Sequence, residues 1–267
     1  MSDAVLCRLS WFKLACSVGG GAVLLFIIAP LIAMLLAGSG ADLWTAATDA
    51  EVARSIWLTL WTSLAGTLLL AIPAIPFSWL LARAKFRGKR LVLSIIDLPV
   101  VIPHSAAGIA LLSVMNRDSL VGSIGESLGI SFVSSHWGIM AAMTFVSLPF
   151  LMGAAREGFS AVPMQFEEAA RTLGASPARV FFTISLPLAW RAVVTGIIQM
   201  FARGLSEFGA VVIIAYHPMI TPVLVFDRFN TFGLRYARPV AVIFIAICLV
   251  VFIGLRVFLV GRREDQT

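Results

Sequence analysis

Residues 156–191 decide the fold. Within them runs Pro163-Met164-Gln165-Phe166-Glu167-Glu168-Ala169-Ala170-Arg171-Thr172-Leu173-Gly174-Ala175-Ser176-Pro177, followed by Ile184, Leu186 and Pro187. The segment is polar and lies between two long apolar runs. Its punctuation predicts two helices and one sharp corner. Pro163 suits a helix start, where its missing N–H would be unpaired anyway. Glu167 and Glu168 fall in the first turn or two, where the helix dipole favours acids. Gly174 fits the left-handed position just past a helix end, which glycine occupies without strain. Ser176-Pro177 reads as the N-cap and first residue of a second helix. Pro187 closes that helix or bends it into the next apolar run. Ala169, Ala170 and Ala175 keep the corner slim enough for a groove, and Val180, Phe181 and Phe182 offer an apolar face to pack beneath membrane helices. A membrane protein that packs only against itself has no use for such a corner. One that is pushed by a soluble partner does.

Composition sets the rest of the frame. The chain has 267 residues, 60% of them hydrophobic and 13% charged, with a mean hydropathy of +0.97. A soluble domain cannot hide that much apolar surface, so the expected class is all-α and polytopic. Apolar runs near the length of a bilayer crossing predict six spans at about 14–37, 56–82, 91–115, 137–155, 192–215 and 237–260. They use up residues 1–267 as a single transmembrane unit. The first run is longer than the apolar core of a signal peptide, which favours a retained helix. Lys and Arg give the orientation. One side collects Arg8, Lys13, the run Arg83 to Arg90, Arg156, Arg171, Arg179, Arg191, Arg262 and Arg263. The other holds Arg54, Arg117, Arg228, Arg235 and Arg238. Both termini and the 156–191 segment are therefore expected on the cytoplasmic side of a plasma membrane (the inner one in a Gram-negative cell). The net charge of +6 is mostly this topology signal, not a nucleic-acid footprint.

Several intramembrane positions are costly unless they face protein or a wet cavity. The third run opens Asp97-Leu98-Pro99-Val100-Val101-Ile102-Pro103-His104. The fifth contains Arg203-Gly204-Leu205-Ser206-Glu207-Phe208-Gly209, in which Arg203 and Glu207 read as i,i+4 neighbours on one helix face and the two glycines permit close helix approach. Pro73 and Pro76 in the second run and Pro149 in the fourth read as helix-shaping residues. Outside the spans, 38–55 is small and acidic and predicts a short helix. Residues 116–136 read as a Gly/Ser-rich external loop, and 216–236 as an external loop long enough to touch a partner.

Enzyme chemistry finds little support. Cys7, Cys16 and Cys248 have no metal-ligand or C-x-x-C spacing. His104, His136 and His217 are scattered. No Ser/His/Asp or paired-carboxylate arrangement is present, and no cofactor or metal is expected. Gly88-Lys89 lacks the upstream glycine and the following Ser/Thr of a phosphate-binding loop, so any ATP site must come from another chain.

The spacing E-A-A-x3-G-x9-I-x-L-P, carried by Glu168, Ala169, Ala170, Gly174, Ile184, Leu186 and Pro187, resembles the signature of the membrane-spanning subunits of type I ABC importers. Two further stretches, Asp97 to His104 and Ser206 to Val212 followed by Tyr216-His217-Pro218, are similar to molybdate/tungstate permeases. Sulfate permeases share the Glu-Phe-Gly element and are the nearest alternative. The resemblance implies a homodimer, two copies of a cytoplasmic ATPase and an external oxyanion-binding protein. It implies ATPase docking by Glu167, Glu168, Ala169, Ala170, Arg171, Leu173, Gly174 and Ala175. A bare dianion is costly to desolvate, so its path should offer hydroxyls, N–H groups and a cation without tight binding. Pro103, His104, Ser105, Arg203, Ser206 and Glu207 are the expected pathway residues. An ion-coupled carrier, with Asp97 or Glu207 as its working acid, is the less favoured reading.

Overall fold

The computed structural model describes residues 2–260; Arg262 and Arg263 of the basic flank lie outside them. Regular structure among the described residues is helical. The helices are α1 (Ser2–Leu36), α2 (Gly40–Thr48), α3 (Ala50–Arg83), α4 (Lys89–Val101), α5 (His104–Met115), α6 (Leu120–Ser127), α7 (His136–Ala161), α8 (Met164–Thr172), α9 (Pro177–Val180), α10 (Leu186–Leu205), α11 (Val211–Ile214), α12 (Thr221–Phe232) and α13 (Leu234–Val260). One π turn, Phe181–Ser185, joins α9 to α10.

Five stretches are long and apolar enough to cross a membrane: Trp11–Leu36, Ala50–Arg83, His136–Ala161, Pro177–Leu205 and Leu234–Leu255. A sixth exists only if the bent pair Lys89–Val101 and His104–Met115 counts as one. The expected third span is therefore not straight, because α4 and α5 meet at 111°. Ile102-Pro103 makes the break: a proline cannot continue the ladder, and the residue before it is pushed to extended backbone, as Ile102 is at φ −72° and ψ 145°. The expected fifth span shifts as well. It begins at Pro177 and ends at Leu205, about ten residues short of the position read from hydropathy. Pro187 does not end it. The Leu186 N–H reaches back five residues to the Phe181 carbonyl, and this widened turn makes room for the proline ring.

The core is α3, α7 and α10. Lipid supplies no hydrophobic drive between helices, so small residues and close packing must hold them. A side chain at Gly66 of α3 would put its Cβ 2.5 Å from Thr144 of α7, and one at Gly196 of α10 would meet the Leu151 carbonyl at 3.0 Å. A buried hydroxyl stripe on α3 (Ser55, Thr59, Thr62, Ser63, Thr67) completes the contact. Thr59 and Thr62 return their hydroxyls to carbonyls one turn back, at 2.6 Å each, while Ser63 crosses to the Phe201 carbonyl of α10 at 2.9 Å.

Of three segments outside the spans, one forms the short helix expected of it and two are more ordered than their sequences suggest. The acidic stretch forms α2, capped by Ser39. The Gly/Ser-rich stretch holds α6, capped by the Ser119 hydroxyl, which accepts from the Gly122 N–H. The 216–236 stretch is not a free loop, since α12 fills it and enters the bundle, with Thr221, Val223 and Leu224 buried. Its first N–H, at Thr221, donates to Thr59 Oγ1 at 2.8 Å. Thr59 lies nine residues into α3, about 14 Å along the axis at 1.5 Å per residue. Arg228 of α12 pairs with Asp49 at 2.6 Å and Glu51 at 2.9 Å, tying the mouth of α12 to the start of α3.

Candidate functional site

Two places concentrate polar chemistry. One is the corner around α8, at the basic end of α3. The other is the level where the α4–α5 break meets the end of α10.

The corner forms as its punctuation predicts. Pro163 precedes α8, and Gly174 adopts φ +84°, the left-handed value that a side chain would strain. The Ser176 hydroxyl caps α9 by accepting from the Arg179 N–H, with Pro177 at the first helical position. What the local pattern does not reveal is which way α8 faces. Glu167 points inward and is 1% exposed, while Phe166 is 54% and Leu173 88% exposed. Glu168, Ala169, Arg171 and Gly174 are also exposed, and Ala170 and Ala175 half-buried. The helix thus turns one of its two acids inward while its large apolar groups, Met164 and Phe166, stay on the surface. Val180 and Phe181 pack inward, but Phe182 stays 64% exposed.

Glu167 is held by three side chains from two other segments, Trp79 and Arg83 at the end of α3 and Ser185 in the π turn. Its Oε1 accepts from Arg83 Nη2 at 2.8 Å and Nε at 3.0 Å, from Ser185 Oγ at 2.7 Å and from Trp79 Nε1 at 3.3 Å. The Arg83 Nη2 also donates to the Val162 carbonyl at 2.9 Å. Oε2 is buried with no hydrogen-bond partner, and Arg171 stands 3.8 Å away. Burial alone would push this carboxyl upward; the donors from Arg83, Ser185 and Trp79 outweigh it and hold the carboxyl below its ordinary range.

At the second place two broken helices touch. His104, the first residue of α5, lies against the turn that follows α10, where a Cβ on Gly209 would come within 2.7 Å of His104 Cβ. Gly108, one turn along α5, meets the Ala210 carbonyl as closely. Gly204 sits against Ser63 of α3. The helix ends at Leu205, so Arg203 and Glu207 do not share a helix face as the sequence suggested. They pair all the same, at 3.1 Å, because the turn folds Glu207 back under α10. Glu207 is 1% exposed. Its Oε1 accepts from the Ala210 N–H at 2.9 Å, and its Oε2 faces Arg203 and, at 3.6 Å, His104 Nδ1. Arg203 Nη2 lies 2.8 Å from His104 Nε2. The same Nη2 lies 3.4 Å from His104 Nδ1, so the guanidinium, which can only donate, stands against the edge of the ring. Pro103, Ser105 and Ser206 are exposed beside this cluster, and Arg203 donates to Ser206 Oγ at 3.3 Å.

Sequence reasoning grouped His104, Arg203, Ser206 and Glu207 as expected pathway residues, and the structure places them in contact. It did not find Trp79, Ser185 or Phe166. Arg83 was read only as part of a basic flank. Nothing local marks Trp79, Arg83 or Ser185, since each partner of Glu167 is far away in the chain or ordinary in its own context, and the exposure of Phe166 follows only from the way α8 faces.

The comparisons agree with this architecture. The family described as "Binding-protein-dependent transport system inner membrane component" matches residues 74–263. The chain belongs to that family. It is therefore a multi-pass membrane permease component of an ABC importer. The chain is 43% identical, over 81% of its length and 82% of the relative's, to the molybdate/tungstate transport system permease protein WtpB of Pyrococcus abyssi. It is 40% identical to the protein of the same name in Methanocaldococcus jannaschii, over 96% of this chain and 99% of the relative. A probable sulfate transport system permease protein of Chlorokybus atmophyticus is more distant, at 33% identity over 86% of this chain and 82% of that one. Among solved structures, a bacterial ABC transporter involved in the import of alginate matches with a TM-score of 0.75 at 15% identity, over 96% of this chain and 98% of that one. At that identity the likeness speaks for the fold of this permease and nothing finer.

Proposed function

We propose that this permease passes molybdate or tungstate, delivered by an external binding protein, through a homodimer driven by two copies of a cytoplasmic ATPase. The way α8 faces carries the mechanism. A short helix that buries Glu167 and exposes Phe166, with Leu173 exposed just past its end, leaves apolar surface without a partner among the described residues, as a docking surface does. Glu168, Ala169, Ala170, Arg171, Gly174 and Ala175 complete that surface, and Glu167 shapes it from beneath. The basic residues at this end of the bundle support a cytoplasmic location for it and for both termini. Identity of 40–43% to molybdate/tungstate permeases supports the substrate.

The paired breaks suit a gate. Irregular backbone at membrane depth is tolerated where it lines a cavity, and Pro103, His104, Ser105, Arg203, Ser206 and Glu207 stand there together. An unbalanced cation would trap a dianion. Here Glu207 compensates Arg203, so the ion meets donors without a deep well, which passage requires. Closure of the ATPases would tilt the docking corners and exchange inward-open for outward-open bundles by rigid-body motion.

The test is ATP-dependent uptake of labelled molybdate into liposomes holding the permease, its ATPase and the binding protein. Competition by tungstate but not sulfate is the expected result. Competition by sulfate moves the substrate to the sulfate branch. Uptake driven by a pH gradient with no ATPase present would overturn the ATP-driven reading.

A further inference from the structure

The main backbone neighbours of α8 are α9 and the π turn; its connection to α3 is made by side chains. Its apolar residues face outward, so little apolar contact holds it to the bundle. What does hold it is one buried carboxylate. Glu167 Oε1 gathers donors from Trp79 and Arg83 at the end of α3 and from Ser185 in the π turn, and Arg83 extends the tie to the Val162 carbonyl at the end of α7. The corner thus has three attachments to the membrane helices: the short covalent link Val162-Pro163 from α7, the covalent route through α9 and the π turn into α10, and the ionic route from Glu167 to α3.

The geometry points to a coupling role for the Glu167–Arg83 ion pair: it makes α8 and the basic end of α3 move as one body, so that a push on the docking corner reaches α3 and α10 together. This rests on the docking reading of α8 given above. Without the pair, a tilt of α8 would enter the bundle through its chain connections to α7 and α10, with no direct route to α3. Helices α3 and α10 would then shear where Ser63 meets Phe201 and Gly204, beside Arg203. Glu167 is therefore a positioning residue that couples ATP hydrolysis to transport without itself touching nucleotide or ion. Oε2, buried with Arg171 at 3.8 Å, leaves one contact on the same carboxylate for Arg171 to tighten when a partner presses on α8.

Glu167→Gln and Arg83→Met remove the charge of each partner at nearly constant volume. In the liposome-reconstituted complex, both variants should assemble and hydrolyse ATP within about two-fold of the parent, while molybdate taken up per ATP falls about ten-fold. The double variant should fall no further than either single one, because both changes break the same link. A merely structural role would lower assembly and hydrolysis together and leave the ratio unmoved. An unchanged ratio in both single variants overturns the proposal.

A second measurement needs no ATPase. Nitroxide labels at Leu80→Cys on α3 and Leu173→Cys beyond α8, in the full chain with its native cysteines replaced, should give a narrow distance distribution that broadens in Glu167→Gln. A distribution that stays narrow overturns the link. If the labels behave as expected while the unsubstituted permease fails to bind its ATPase, the link stands and the docking reading fails.

Discussion

Replacing Glu207 by glutamine tests the gate most directly. The change keeps the shape of the side chain and removes its charge. Glu207 serves two donors at once, the Ala210 N–H at 2.9 Å through Oε1 and Arg203 at 3.1 Å through Oε2. An amide has one oxygen. Whichever donor it accepts, its NH2 group faces the other. Losing a hydrogen bond to a charged group costs about 1.5–3 kcal/mol, and orphaning a fully buried ionic partner about 3–5 kcal/mol. Arg203 keeps 23% of its side chain exposed and His104 keeps 40%, so water relieves part of that second cost. The expected loss is about 2–3 kcal/mol. In a chain of this size that lowers the melting temperature by roughly 5–10 °C.

Thermal unfolding in detergent measures the stability, and reconstituted uptake measures the function. Glu207→Asp should lose less stability than Glu207→Gln, because it keeps the charge. The double variant Arg203→Met with Glu207→Leu separates packing from charge. Replacing a buried pair by apolar groups of similar volume is often neutral for stability, so its melting temperature should recover toward the parent's. Uptake should not recover, since the cation in the path is gone. A double variant that transports at the parental rate would refute the assignment of this cluster to the path. A Glu207→Gln variant that melts with the parent would refute the geometry of the ion pair.

Four further outcomes follow from the same structure. Gly174→Val places a β-branched residue at φ +84° and strains the turn by about 1–3 kcal/mol, so ATPase binding should weaken while the membrane helices stay folded, as read by a pull-down beside circular dichroism. Glu168→Lys reverses a charge on the exposed docking face and should uncouple hydrolysis from uptake; normal transport with a native complex would remove Glu168 from that surface. Thr59→Val deletes the hydroxyl that caps the buried start of α12 and should cost about 1 kcal/mol, seen as faster hydrogen exchange at Thr221 than in the parent. The carboxyl of Glu167 is held below its ordinary 4.5, so its contribution to the corner is fully present above that value and is lost as pH falls through the depressed one. Amides of 164–172 should therefore keep their protection from neutral pH down to 4.5 and lose part of it only in more acidic solution, whereas in Glu167→Gln that acid-dependent step should be absent.

How much of this was legible depends on how far each interaction reaches along the chain. The corner at 163–187 was readable to the residue, because caps, left-handed glycines and helix-starting prolines act over four residues or fewer. The apolar runs were readable because each is one continuous stretch of the chain. The bends were not. Hydropathy averages over a window and does not register that Pro103 turns the chain by 111°, or that the Ser206–Ala210 turn ends a helix inside an apolar run. The direction in which α8 faces was also hidden. An acid in the first turn of a surface helix is unremarkable, and the arginine that draws it inward lies 84 residues earlier. The gate cluster shows a mixed outcome: each member looked costly in a membrane, which marked it, but the contact between His104 and Arg203 spans 99 residues and no spacing announces it.

The two polar places are joined by one helix. From the π turn, whose Ser185 holds Glu167, α10 runs without a break to Arg203, about 27 Å at 1.5 Å per residue. Its start is set by the docking corner and its end by the ion pair with Glu207. Packed interiors resist compression, so a helix seated against α3 and α7 along its length carries displacement from end to end instead of absorbing it. The weakest points on that route are the π turn, where the ladder is widened, and the Ser206–Ala210 turn, where it stops. Bending at either would dissipate the stroke. Each is braced by a buried carboxylate, Glu167 at the first and Glu207 at the second, and these are the two acids among the described residues that are almost fully buried. On the proposed mechanism that is where bracing is needed. The expense of burying two charges is then explained by the stiffness that a stroke from corner to gate demands.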